Sequence, residues 1–192
     1  MTTPDQSEPR WDQVARRWWG MLQNSTRNGT PNPARNPGAL ARLRRAATPI
    51  DALEEPTVFE FYKKLGFGRG EVDRRLPRVA AAAAVLAHIR TDAEPGSGYR
   101  RRFAEMLGQG ERPPMSPLRF KRLLAATEDQ ELMVAFRRAV MLVGARNINV
   151  GDVAASILDW SERRRMRWAF DYYGAGMAAP NDDDTASTDD EE

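Results

Sequence analysis

Residues 116–143 read SPLRFKRLLAATEDQELMVAFRRAVMLV, and this stretch decides the fold. Ser116 followed by Pro117 reads as a helix cap and first helical residue. Serine is favoured at a cap, where its oxygen can accept from a free backbone N–H, and the fixed φ of proline suits the first turn. Phe120, Leu123 and Leu124 then fall on one side at helical spacing, which predicts a helix running to Ala126. Thr127 and Gln130 fit a capping box for a second helix ending near Val143. That helix is apolar almost all round, as suits the centre of a bundle or half of an interface.

Working outward, the same pattern recurs. Toward the N-terminus, Ala80 to Ala84 form a run of the best helix former inside an expected helix from about Glu71 to Arg90. Pro77 in that helix either kinks it or marks its true first turn. Thr57 and Glu60 fit a capping box for a helix ending near Gly66. Pro37 starts another that Ala39 to Ala47 continue. Trp11, Val14, Ala15, Trp18 and Leu22 make an apolar stripe. A short helix is expected from Tyr99 to Leu107. Toward the C-terminus, Asn149 or Asp152 caps a helix ending near Trp160. Ser161 caps the last one, through Tyr173, with Gly174 at its C′ position. No period-2 alternation marks a strand. The expected class is all-α, a bundle of roughly eight to nine helices in two packed lobes. The expected divisions are a flexible N-terminus at 1–8, an N-terminal helical lobe at 9–95, a C-terminal helical bundle at 99–176 and a disordered acidic tail at 177–192. The Asn/Pro-rich stretch 24–37 and residues 91–98 read as loops.

Composition narrows the function. A chain of 192 residues is long enough to bury a core without staples. It contains no cysteine, which excludes disulfides, thiol chemistry and cysteine metal sites. No apolar run approaches a membrane span, and MTTPDQSEPR does not read as a signal peptide, so a cytoplasmic protein is expected. There is one histidine, His88, and no HxxxH pattern, so neither a metal site nor a cofactor is expected. Scattered carboxylates suggest no nuclease clamp, and no catalytic residue is assigned. The GFGRG run at 66–70 follows a helix and reads as a loop, not a phosphate cradle.

Charge is informative. The net charge of +2 hides seven acids between Asp182 and Glu192. Residues 1–181 carry 29 bases against 20 acids, a net of +9, and 26 of the bases are arginine. Arginine grips phosphate bidentately. Arg42 and Arg45 share a helix face, as do Arg119 and Arg122, with Lys121 between the latter. Arg137 and Arg138 interrupt the apolar helix, where a bare pair must reach water or a phosphate. Arg146 lies in the next turn. Few acids sit nearby, which favours a groove that tracks a nucleic-acid backbone. Arg163, Arg164, Arg165 and Arg167 spread around their helix with Glu162 and Asp171 available to pair. The Trp and Tyr residues at helical spacing read as core.

In order, the segments Gly38-Ala39-Leu40-Ala41-Arg42-Leu43-Arg44-Arg45-Ala46, Ala87-His88, Ser116-Pro117-Leu118-Arg119-Phe120-Lys121-Arg122-Leu123-Leu124, Arg137-Arg138 and Arg167-Trp168-Ala169-Phe170-Asp171-Tyr172-Tyr173 resemble the CasB family. This family is the small subunit of the type I-E CRISPR Cascade complex, and the resemblance covers about residues 9–174. It implies a non-catalytic helical protein, present as a dimer within the complex beside guide RNA and target DNA. There it helps hold both strands of the R-loop, the displaced one included; a separate nuclease-helicase does the cutting. Carried over residue by residue, Arg42, Arg44 and Arg45 match the family's first basic stretch. Arg119 and Arg122 match its second, and Arg137 and Arg138 its arginine pair. Lys121 and Arg146 join these on charge and placement alone. Charge reversal at Arg119, Arg122, Arg137 and Arg138 is expected to shorten R-loop lifetime with the fold intact. The rival readings are a free-standing helix-turn-helix regulator and a basic protein–protein adaptor. The first would need base-reading polar residues that helix 117–126 lacks.

Overall fold

The computed structural model describes residues 10–23, 36–93 and 102–175. Among these residues there are ten α-helices and no strand: α1 Trp11–Leu22, α2 Pro37–Arg45, α3 Pro49–Ala52, α4 Pro56–Lys64, α5 Val72–Leu86, α6 Phe103–Gly108, α7 Pro117–Ala125, α8 Asp129–Leu142, α9 Val150–Leu158 and α10 Glu162–Gly174. The all-α expectation holds, with one helix more than the upper count. The extra element is the single turn α3, too short to show periodicity. The expected loose N-terminus, most of the two loops and the tail from 177 lie outside the described residues.

The centre is α5. Its residues Val79 to Leu86 are all buried, and the run of alanines lets neighbours approach closely. Helices α2, α3, α4, α8 and α9 all pack against it, and α1 lies on α9. Arg78 of α5 ties three ends together. Its guanidinium pairs with Asp129 at the start of α8 and donates to the carbonyls of Thr127 and Ile157. Pro77 sits well inside α5, so it is not the first turn; a 3-10 turn, Arg69–Glu71, leads into the helix.

Two close approaches need glycine. A Cβ on Gly108 of α6 would collide with the Tyr172 carbonyl oxygen of α10. One on Gly151 of α9 would lie 2.9 Å from the Asp12 carbonyl oxygen of α1. Trp18, Trp19, Trp160, Trp168 and Tyr172 are core, as their spacing suggests; Tyr173 is exposed instead, because it falls on the outer face of α10, and Trp11 is only partly buried. Trp18 stacks on Phe61 at 4.4 Å and donates to the Thr57 carbonyl, while Trp160 and Trp168 both pack against Phe136. Trp168 donates to the buried Ser156 hydroxyl.

Several local expectations shift. Thr57 does not cap α4: Pro56 occupies the first helical position, the cap is Glu55, and the Thr57 hydroxyl is buried without a partner among the described residues. The capping box lies earlier, where Thr48 and Asp51 exchange hydrogen bonds. Helix α8 starts one residue late for the Thr127–Gln130 box; its cap is Glu128, and Glu131 instead accepts from the Thr127 backbone. Asn149, not Asp152, caps α9. Gly174 belongs to α10 itself, not to its C′ position. Among the described residues no helix is long and apolar enough to cross a membrane.

Candidate nucleic-acid interface

Helices α7 and α8 are joined only by Ala126, Thr127 and Glu128, and they leave a groove of about 1060 Å3 between them. Arg119 and Arg122 line it from α7, Arg137 and Arg138 from α8. Among the described residues, Glu131 is the one acid on its wall. Its floor is apolar, including Leu123, Val134 and Ala135. The start at Ser116–Pro117 sets the phase of α7, so that Phe120 and Leu123 are buried while Arg119, Lys121 and Arg122 are exposed. On α8 the buried side is Leu132, Met133, Phe136, Ala139 and Val140, while Met141 and Leu142 are exposed. The helix thus serves core and groove together.

The nine arginine and lysine positions read from the sequence divide by partner. Among the described residues, Arg45, Arg119, Lys121, Arg122, Arg138 and Arg146 are exposed and none has a carboxylate within ion-pair distance. Lys121 is on α7 but does not line the groove, and Arg146 stands in the turn after α8. That turn is strained. Gly144, Ala145 and Asn147 all have positive φ, and hydrogen bonds from Arg90 and to Thr91 hold it in place.

The other three have internal work. Arg42 pairs at 2.6 Å with Glu55, a carboxylate almost wholly buried. Arg44 donates to the Ala87 carbonyl at the end of α5. Arg137 donates to the carbonyls of Ala46 and Leu43, at 2.6 and 3.1 Å, closing the C-terminal end of α2. Helix ends leave carbonyls without partners, and a cation there is favoured by both hydrogen bonding and the helix dipole. Burial lowers the Arg137 pKa from the usual arginine range. Arg137 therefore borders the groove while its guanidinium faces α2, so its reversal is expected to disturb the end of α2 as well as the groove.

The sequence profile of the CRISPR-associated protein Cse2 matches residues 39–173, well over half of the chain. The chain belongs to the Cse2 family. Cse2 is the type I-E small subunit, CasB, so the resemblance read from the arginine-rich stretches is upheld. Among solved structures, a chain in the crystal structure of E. coli Cascade bound to a PAM-containing dsDNA target (32-nt spacer) aligns with a TM-score of 0.57. The alignment has 16% identity and covers 86% of this chain and 97% of that one, a likeness of fold. No curated protein matches the sequence. Every one of the nine basic positions, from Arg42 to Arg146, falls inside the span matched by the family profile.

One feature escaped the sequence reading. A second groove, of about 810 Å3, gathers Arg163, Arg164 and Arg167 of α10 with Arg10, Arg16 and Arg102. Its six arginines stand against three aspartates, Asp12, Asp152 and Asp159, the same balance of charge as the first groove, but more of its arginines are held in ion pairs. Arg16 pairs with Asp92 at 2.8 Å, and Arg102 pairs with Asp171 at 3.1 Å. Asp171 is thus the partner of Arg102, not of the α10 arginines, and Arg164 reaches Asp159 instead, at 3.8 Å. Asp152 is buried, which pushes its pKa up, and accepts from the Phe103 backbone N–H. Residues from opposite ends of the chain build this groove, so no local motif announces it. Helix α10 also exposes Met166, Phe170 and Tyr173 along one stripe.

Proposed function

We propose that this chain is a non-catalytic subunit of a type I-E CRISPR Cascade complex. It binds nucleic-acid backbone through its exposed arginines and stabilises the guide RNA–target DNA R-loop, the displaced strand included. It assembles with other Cascade subunits and with a second copy of itself. The observation that carries this reading, beside family membership, is the α7/α8 groove. Arg119, Arg122 and Arg138 line it free of ion pairs among the described residues, with one acid opposite. Arginines without internal partners are available to phosphates, and each phosphate contact releases counterions without reading sequence. R-loop formation exchanges nearly equal base-pairing energies, so a few backbone contacts tip it. Arg45, Lys121 and Arg146 extend the basic surface. Arg42, Arg44 and Arg137 contribute by holding α2 and α5 in place, with their charge as background.

The test is R-loop lifetime in the reconstituted complex, read by permanganate reactivity of the displaced strand. Replacing Arg119, Arg122 and Arg138 together by glutamate is expected to shorten the lifetime at least tenfold, with incorporation and helicity unchanged. The salt dependence should flatten by about 0.7–0.9 in slope for each phosphate that the variant no longer neutralises. An unchanged lifetime in a fully incorporated variant would remove this groove from the interface.

A further inference from the structure

The groove between α7 and α8 has two properties that a phosphate backbone alone does not explain. Its floor is apolar, and it lies beside the point where the chain leaves α10. The Tyr172 hydroxyl donates at 2.6 Å to the carbonyl of Met115, a residue of the groove wall. The Tyr172 ring stacks at 3.8 Å on Phe120, which lies between Arg119 and Lys121 on α7. The described chain ends three residues later, at Ala175. The sequence beyond Ala175 is complementary to the groove in order and in kind. Met177, Ala178, Ala179 and Pro180 are apolar, and Asp182 to Glu192 carry seven acids and no base.

We infer that the segment Met177–Glu192 docks in the α7/α8 groove of its own molecule, its acids facing Arg119, Arg122 and Arg138, and competes there with nucleic acid. The docking stands on charge, apolarity and reach; the competition rests on the function proposed above. Residues 176–181 can span roughly 20 Å when extended, and the end of α10 already touches Met115 of the groove wall through Tyr172. Tethering also gives the segment a high local concentration, so weak contacts suffice. The second groove is the poorer host. Its α10 arginines, Arg163, Arg164 and Arg167, lie toward the start of that helix, and three of its six arginines, Arg16, Arg102 and Arg164, are already held by Asp92, Asp171 and Asp159. A displaceable acidic segment would discourage stray polyanions, while a correctly placed phosphate backbone, bringing more charge, would expel it.

The chain has no cysteine, so Ser187→Cys gives a single attachment point for a spin label in the full-length protein. At about 50 mM salt the label should broaden amide resonances of α7 and of the groove side of α8. The broadening should vanish near 1 M salt, where the screening length falls to about 3 Å. It should also vanish when the seven acids become Asn or Gln. Absent broadening at low salt, or broadening spread evenly over the surface, overturns docking. A mixture of spin-labelled chain with isotope-labelled chain that carries no spin label should show none. Broadening there would mean that a second copy is the host, and would overturn the intrachain proposal. For competition, the amide-substituted chain should bind a duplex about three- to tenfold tighter at low salt, the scale of a few exposed ion pairs. Unchanged affinity overturns competition. If Arg119→Glu with Arg122→Glu still weakens binding in that background, the nucleic-acid reading survives the failure of competition. If neither chain binds nucleic acid while broadening persists, the nucleic-acid reading fails and docking stands.

Discussion

Arg42 and Arg44 of α2 and Arg119 and Arg122 of α7 look alike in sequence and differ in what they do. Both sets occupy a nine-residue helix that opens on proline. On α2, Arg42 serves the buried Glu55 and Arg44 serves the end of α5. On α7, Arg119 and Arg122 serve no internal group among the described residues and border a groove. The split runs through α8 within a single dipeptide, since Arg137 closes α2 while Arg138 is exposed and unpaired among those residues. An arginine given to a helix end is part of the fold, and an arginine left without a partner is part of a surface.

The largest effect expected from breaking this distinction is at Arg137. Arg137→Ala leaves the carbonyls of Leu43 and Ala46 without their donor, and hydrogen bonds from a charged group are worth about 1.5–3 kcal/mol each before any relaxation toward water. A stability loss of about 2–4 kcal/mol should result, a fall in Tm of roughly 5–12 °C in a chain of this size. Arg137→Lys should recover part of it, since an ammonium reaches one carbonyl but cannot fork to both. Thermal and urea melts followed by circular dichroism measure this. A loss under about 0.5 kcal/mol, the range of ordinary surface changes, would return Arg137 to the free set.

How much of this was legible depends on the kind of partner each residue has. The start of α7 was legible because Pro117 is a local signal and Ser116 does sit at the cap, although its side chain makes no capping hydrogen bond among the described residues. The start of α4 was misplaced because Pro56, with its preset φ and missing N–H, opens the helix ahead of the Thr57–Glu60 pattern. The grouping of Arg119, Arg122, Arg137 and Arg138 on one groove was legible, since both helices are amphipathic and adjacent in the chain. The internal duties of Arg44 and Arg137 were not. Their acceptors are backbone carbonyls, which every residue has, so no acid in the sequence marks them. The second groove was hidden for a different reason: Arg10 and Arg167 meet only through packing of α1 on α9 and of α6 on α10.

A smaller effect comes from His88, which sits half-buried beside the two tied arginines. Burial lowers its pKa first, then Arg137 and Arg44, against a backbone hydrogen bond that raises it. The folded state therefore resists protonation that the unfolded chain accepts below about 6.5. Stability is full above that pH and declines as pH falls toward the lowered folded value, with a slope of at most about 1.4 kcal/mol per pH unit. Melts at pH 7.5 and 5.5 should show a loss of stability at the lower pH that His88→Gln lacks. Arg137→Ala should reduce the same slope, because one of the repelling charges is gone. A slope unaffected by His88→Gln would place the titration elsewhere.

The smallest effect should be at the free set, and its sign matters. Arg119→Ala, Arg122→Ala and Arg138→Ala remove exposed side chains that hold no ion pair among the described residues, so each should change stability by less than about 0.5 kcal/mol. Combined, they should leave the protein equal or slightly more stable, because the groove brings like charges together around the one acid Glu131. That gain should be visible at low salt and fade toward physiological ionic strength, where the Debye length is about 8 Å. If the acidic segment of the same chain occupies the groove, the sign reverses at low salt, since each substitution then removes an attraction. Melts of the triple variant at low and high salt, with and without the seven tail acids, separate the two cases. A loss above about 1 kcal/mol that persists at high salt would show that these arginines belong with Arg137, and the distinction between the two sets would fall.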